Sequence, residues 1–254
     1  MKLFYFTATG NSLSVAKSFG GENISMAQYQ NGPSQNFEDE SIGFIFPCYG
    51  SSFPTIVEQF IEKHSFKSKY TFAIITYGSM TMGAEKHFVD FAKSQDIKID
   101  YINKIKMLDN SLKFFNIEKE IKKLPKKNVD VQLDKIKSDI KLKKHTIKNS
   151  NFIANHLSKK GFESYRKEIG DCDNLYTVES HCTKCGVCEK VCPVSNITVD
   201  NKVKFKGNCL RCYACTHNCP ANAIRFKNEK SKRRFRNEKV SLKEIIESNN
   251  QNNL

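Results

Sequence analysis

Cys182-Thr-Lys-Cys185-Gly-Val-Cys188-Glu-Lys-Val-Cys192-Pro193 is followed, after a spacer, by Cys209-Leu-Arg-Cys212-Tyr-Ala-Cys215-Thr-His-Asn-Cys219-Pro220. Eight of the chain's 10 cysteines thus fall into two copies of C-x2-C-x2-C-x3-C-P. A zinc site would use one four-ligand set with a wide gap between two pairs, not two matched runs. A disulfide framework belongs to secreted chains. Here the opening Met1-Lys-Leu-Phe-Tyr-Phe turns polar at Thr7, too soon for the apolar core of a signal peptide. Thiolates at this spacing are soft ligands suited to iron–sulfur clusters. Gly186 and Ala214 suit a tight backbone around such a group. Ala221, Ala223 and Ile224 read as the return that closes each half, and Ile197, Val199, Val203 and Phe205 as apolar cover.

This stretch resembles the bacterial two-cluster ferredoxins. In that family the fourth cysteine of each run reaches the other cubane. The resemblance therefore implies one [4Fe-4S] cluster on Cys182, Cys185, Cys188 and Cys219, and a second on Cys209, Cys212, Cys215 and Cys192. It also implies a small α+β dicluster domain over residues 177–227.

Upstream, the chain alternates strand and helix signals. Lys2–Phe6, Ile24–Ala27, Ser41–Phe46, Thr71–Thr76 and Ile97–Met107 read as strands, and the stretches from Leu13, Pro54 and Ala84 as helices. That alternation predicts an α/β fold with a doubly wound, five-stranded parallel sheet. Every strand-to-helix loop of such a sheet lies along its carboxyl edge, where ligands bind. The first loop, Thr7-Ala8-Thr9-Gly10-Asn11-Ser12, offers hydroxyls and backbone N–H groups as an anion cradle. It resembles the flavodoxin phosphate loop T-x-T-G-x-S/T, which implies a flavodoxin-like domain over residues 1–115 holding the phosphate of FMN. The loop carries no Lys or Arg and no Walker G-K-[ST], which fits ATP poorly. By the same resemblance, loops 47–53 and 77–83 grip the flavin ring. Pro47, Tyr49, Gly50, Phe53, Tyr77, Gly78, Ser79 and Gly83 are the candidate contacts, with Asn110 close by. With no Trp in the chain, a stacking tryptophan is excluded. Cys48 reads as a packing cysteine, and Cys172 matches neither motif.

The 254 residues are 39% apolar, enough for a real core, and carry a net charge of +14. From Lys113 to Lys148, 12 lysines face 5 acids. Residues 116–176 read as a basic helical linker with a Leu133, Ile136, Ile140 stripe that packs on the flavin domain. From Arg225 to Lys239, 8 basic residues face 2 acids, and residues 228–254 read as a basic, partly disordered tail. No run approaches the ~18 apolar residues of a membrane span, so a cytoplasmic protein is expected, with an anaerobic setting suited to exposed clusters. The whole chain resembles proteins that fuse a flavodoxin-like domain to a dicluster ferredoxin. That implies electron transfer between two [4Fe-4S] clusters and FMN, and on to a redox partner. The basic charge suggests that the partner is an acidic electron carrier, a ferredoxin or flavodoxin, or a redox enzyme. Two alternatives are a flavin-dependent reductase of a small substrate and a redox-sensing regulator using its basic tail on nucleic acid. No nucleic-acid fold supports the second, and no G-x-G-x-x-G supports direct NAD(P)H use.

Overall fold

The computed structural model describes residues 1–147, 152–170 and 172–251. Five strands form one parallel sheet in the order β2-β1-β3-β4-β5, and no membrane-length apolar helix occurs among the described residues. The strands are β1 (Lys2–Tyr5), β2 (Glu22–Ser25), β3 (Asn36–Pro47), β4 (Ser65–Tyr77) and β5 (Tyr101–Lys106). This is a doubly wound order with its switch point between β1 and β3. The register sets Ile24, Phe4, Phe44, Ala73 and Ile102 in one row across all five strands. All five side chains are buried, as a sheet covered on both faces requires. Helices α1 (Asn11–Lys17), α2 (Thr55–Lys63) and α3 (Ala84–Ser94) follow β1, β3 and β4.

The strand boundaries differ from the expected ones for physical reasons. β3 and β4 each begin several residues early, where Asn36–Asp39 pairs with Ser65–Ser68. There the side chains alternate between exposed and covered, so the apolar run is absent. The last strand is shorter than the expected Ile97–Met107. At its start the Asp100 carboxylate accepts from the Thr71 N–H at 2.9 Å in place of a ladder partner.

Beyond β5 come α4 (Ile117–Lys123), α5 (Val129–Lys141) and α6 (Phe152–Glu168). Leu133, Ile136 and Ile140 are buried as α5 packs on β5, while α6 packs on α3. The cysteine region folds as β6 (Tyr176–Val178), α7 (Val187–Lys190) and β7 (Ile197–Val199), then β8 (Val203–Phe205), α8 (Ala214–His217) and β9 (Ile224–Phe226). The second triplet repeats the first, and the outer and inner strands pair antiparallel, β6 with β9 and β7 with β8. Left-handed residues recur at matching points: Lys184 and Arg211, Gly186 and Tyr213, Ser195 and Asn222.

One expectation needs correction. Residues 228–254 do not form a loose tail within the described range. Val240 and Ile245 are buried, and Leu242–Asn249 form helix α9. Ser248 hydrogen-bonds Tyr5 at 2.7 Å, and its carbonyl accepts from Ser25, so α9 closes over β1 and β2. Residues 252–254 lie outside the described residues.

Candidate cofactor site

The loop after β1 meets the loops after β3, β4 and β5 at the carboxyl edge of the sheet. A cavity of about 50 Å³ there is lined by Thr7, Ala8, Thr9, Asn11, Ser12, Pro47, Cys48, Tyr49, Thr76, Tyr77, Gly78, Leu108, Asp109 and Asn110. That volume takes a phosphate-sized group. A larger ligand bound there would extend past Tyr77 and Gly78.

The 7–12 loop is held from behind by residues far along the chain. The carbonyl of Thr7 accepts from Asn249 Nδ2 at 3.0 Å, that of Ala8 from Asn218 Nδ2 at 3.1 Å, and that of Thr9 from the Asn237 N–H at 2.8 Å. In a trans peptide C=O and N–H point in opposite directions. Tying these carbonyls from behind therefore turns the N–H groups of Ala8 and Thr9 to the opposite side, while the Gly10 N–H is taken by Thr7 Oγ1. The hydroxyls complete the cradle. Thr7 Oγ1 accepts from the Gly10 N–H at 3.0 Å and Thr9 Oγ1 from Asn110 Nδ2 at 2.7 Å. Each threonine keeps its own proton to donate. Ser12 Oγ lies 3.0 Å from Thr76 Oγ1. Gly10 is left-handed at φ 93°, and a Cβ there would come within 2.9 Å of Val240 Cβ. Donors without a nearby cation suit a phosphate monoester, so these residues fit the phosphate end of FMN.

The expected ring contacts divide. Pro47, Tyr49, Tyr77 and Gly78 line the cavity. Ser79 faces the neighbouring groove instead. Phe53 and Gly83 are buried against α6, so the expectation that they touch a ligand is corrected, whereas Gly50 is exposed and packs on α6 along one side. Gly50 lies against Tyr165 and the Gly161 carbonyl, and Gly83 against the Ala154 backbone. Phe53 is 1% exposed, among Phe46, Phe88, Phe91 and Phe162. Sequence reasoning missed Asp109, which stands in the cavity wall. A Cβ on Gly78 would come within 2.2 Å of Asp109 Cβ, so the glycine permits this approach. Burial pushes the Asp109 carboxyl above the ordinary carboxylate range, against hydrogen bonding from the Ser111 N–H. Desolvation by the surrounding protein likewise pushes the Cys48 thiol up to about 12.

The cysteines surround two further hollows. Cys182, Cys185, Cys188 and Cys219 line one, beneath Val199, Val203 and Ile224. Cys192, Cys209, Cys212 and Cys215 line the other, beneath Tyr176, Ile197, Phe205 and Tyr213. Each hollow thus draws three cysteines from one run and the fourth from the other. Backbone N–H groups of Asn196, Arg211 and Ala223 point at the sulfurs of Cys192, Cys209 and Cys219, at 3.2, 3.2 and 3.3 Å. Such bonds stabilise charge on cluster sulfur. Among the described residues no group of three or more His, Cys, Asp or Glu closes around a single metal ion. One tetrahedral ion with bonds of about 2.3 Å would draw its sulfurs tightly together. A cubane binds each thiolate on a different iron and needs them wider apart. Cys172 is 1% exposed, and its thiol donates to the Cys209 carbonyl at 3.5 Å.

Side-chain contacts link the second hollow to the loop cavity. Tyr49 lines the cavity and packs edge-on against Tyr165 at 5.9 Å. The Tyr165 hydroxyl donates to the carbonyl of Leu210, which lines the hollow. His217 ties the same parts together. Its Nδ1 accepts from the Phe235 N–H at 3.1 Å, which places its proton on Nε2, 2.8 Å from the Asn110 carbonyl.

Residues 175–198 match the family model described as 4Fe-4S binding domain, so the chain contains a 4Fe-4S binding segment that includes Cys182, Cys185, Cys188 and Cys192. No curated protein matches the chain. A solved structure named "Putative flavoprotein", from Bacteroides uniformis ATCC 8492, is similar over 41% of this chain and 88% of its own. It shares 19% identity with a TM-score of 0.33, and a likeness at that level carries no argument.

Proposed function

We propose that the chain is an iron–sulfur flavoprotein that transfers electrons between two [4Fe-4S] clusters and FMN, and on to a redox partner. The observation that supports this best is the junction of cradle and cysteines. Asn218, the neighbour of Cys219, donates to the phosphate-loop carbonyl of Ala8, while Tyr49 and Tyr165 connect the cavity to the wall of a cysteine hollow. Cys182, Cys185, Cys188 and Cys219 would hold one cluster, and Cys192, Cys209, Cys212 and Cys215 the other. Thr7–Ser12 would hold the FMN phosphate, with Tyr49 and Tyr77 beside the ring. When bound, the clusters carry one electron each and FMN carries one or two. The chain's own residues fix the separation of the sites, exclude water with Ile197, Val199, Val203 and Phe205, and hold the cradle donors in place. The partner we propose is an acidic electron carrier of the ferredoxin or flavodoxin type.

Anaerobic purification with iron, sulfide and flavin assays tests the proposal. The expected contents are about eight iron and eight sulfide per chain and about one FMN. Thr9→Val together with Ser12→Val should abolish flavin and leave iron intact. Cys192→Ala should damage the cluster of Cys209, Cys212 and Cys215. Full flavin in the double variant, or loss confined to the cluster of Cys182, Cys185 and Cys188 in Cys192→Ala, would refute the respective assignment.

A further inference from the structure

Beside the loop cavity, a wider groove of about 530 Å³ runs between the end of β5, α4 and the start of α5. Lys106, Lys123, Lys126 and Lys127 line it, with Glu120 as the acidic residue among its walls, together with Phe115, Gln132 and Ser79. Lys127 is part of the frame. Its Nζ donates to the Met107 carbonyl at 2.6 Å and the Gly78 carbonyl at 3.5 Å, and pairs with Glu120 at 3.1 Å. Lys123 takes the other Glu120 oxygen at 2.7 Å. Gln132 braces the backbone of Lys106 through both its N–H and its carbonyl. Glu120 is therefore fully engaged. The ammonium groups of Lys106 and Lys126 have no ion-pair or hydrogen-bond partner among the described residues.

We propose that this groove binds a small organic anion with two or more negative charges, of the phosphomonoester or polycarboxylate class. Three observations carry it. The volume lies within the range of about 300–1,000 Å³ typical of small-molecule sites. The wall is braced by a buried ion pair, so its shape is set before a ligand arrives. Lys106 and Lys126, two cations without a partner among the described residues, line it beside the Phe115 ring. A protein partner would instead need a broad face of roughly 800 Å². The groove shares Tyr77 and Gly78 with the loop cavity, so an anion bound there reaches the ring side of the cofactor site. Its existence does not depend on the flavin reading.

The test is isothermal titration of the purified holoprotein with citrate and with glycerol 3-phosphate, and with glycerol as the neutral control. Saturable binding of at least one anion is expected, weakened about tenfold or more by Lys106→Glu with Lys126→Glu, because both charge-assisted partners are lost. Lys160→Glu with Lys167→Glu makes the same change in net charge at residues that do not line the groove, and should leave binding unchanged. Iron and flavin contents should be the same in all three proteins. The proposal is overturned by no saturable binding of either anion up to about 10 mM or by an equal loss in the control pair. It is also overturned if the anion displaces FMN, which would put it in the phosphate cradle. Binding of an acidic ferredoxin that the groove variant loses, with neither small anion binding, would make the groove a docking face instead.

Discussion

His87 lies on α3 with its ring 5.2 Å from Phe53 and 5.3 Å from Phe162, and its Nδ1 is 2.8 Å from Ser52 Oγ. Burial, reinforced by Lys159, lowers its pKa from 6.5 to about 4. Between those values the unfolded chain binds the proton and the folded one does not, so stability rises with pH across the window. Folding stability should therefore decline as pH falls from 6.5 towards 5. Urea midpoints measured over that interval should fall less steeply in His87→Gln, which keeps a polar atom for Ser52, with the remaining slope left to His64 and His217, which burial also shifts down; an unchanged slope would show that His87 does not contribute. The same neighbourhood shows what the sequence could not tell. Phe53 looked like a ring contact because it sits on a carboxyl-edge loop, but Phe162, more than 100 positions away, claims its face. Asp109 was missed for the converse reason: it reaches the cavity only because Gly78 lacks a side chain. The hydroxyl-rich loop at Thr7–Ser12 was legible because its groups are local in sequence. The asparagines that hold it, Asn218, Asn237 and Asn249, act through contacts that no local pattern encodes.

At the scale of elements, α9 is the clearest departure from the expected chain. Its Asn- and Gln-rich surroundings read as disorder, but Ser241 and Glu244 form a capping box ahead of Ile245 and Ile246. The Ser-x-x-Glu signal was present and composition outweighed it. Ser241→Ala should cost about 1 kcal/mol of helix stability, read as faster amide exchange in Leu242–Asn249. If protection there is unchanged, packing on β1 and β2 alone holds the helix. The five-stranded sheet was readable from its apolar runs. The three-residue strands of the cysteine region were less so, because they are too short to show an alternating apolar pattern. Their repetition is nonetheless regular, and Tyr213 takes the left-handed position that Gly186 fills in the first copy. A bulky residue there contributes its ring to the lining of the second hollow.

For the whole molecule, the basic charge is distributed less freely than a count implies. Arg225 and Arg234 both pair with Glu229, and the Arg234 side chain is 10% exposed. Lys232, Arg233 and Arg236 remain at the surface. Exposed charges of this kind act mainly on association rate, and salt screens them over about 8–10 Å. Reversing Lys232, Arg233 and Arg236 to Glu should slow reduction by an acidic ferredoxin severalfold at low salt, with the gap closing at high salt. Stopped-flow traces across a salt series measure this, and equal rates at every salt level would remove the segment from partner docking. Leaving Arg234 intact avoids unfolding the turn it braces. The arrangement behind the phosphate loop has a further consequence, for biosynthesis. Thr7–Thr9 are made about 200 residues before the groups that orient their carbonyls, which arrive with Asn218, Asn237 and, last, Asn249. The sheet can form on the growing chain, whereas the cradle takes its final shape only after Asn249 has emerged. Loading of the FMN proposed above would thereby wait until the cysteine region, too, has been made.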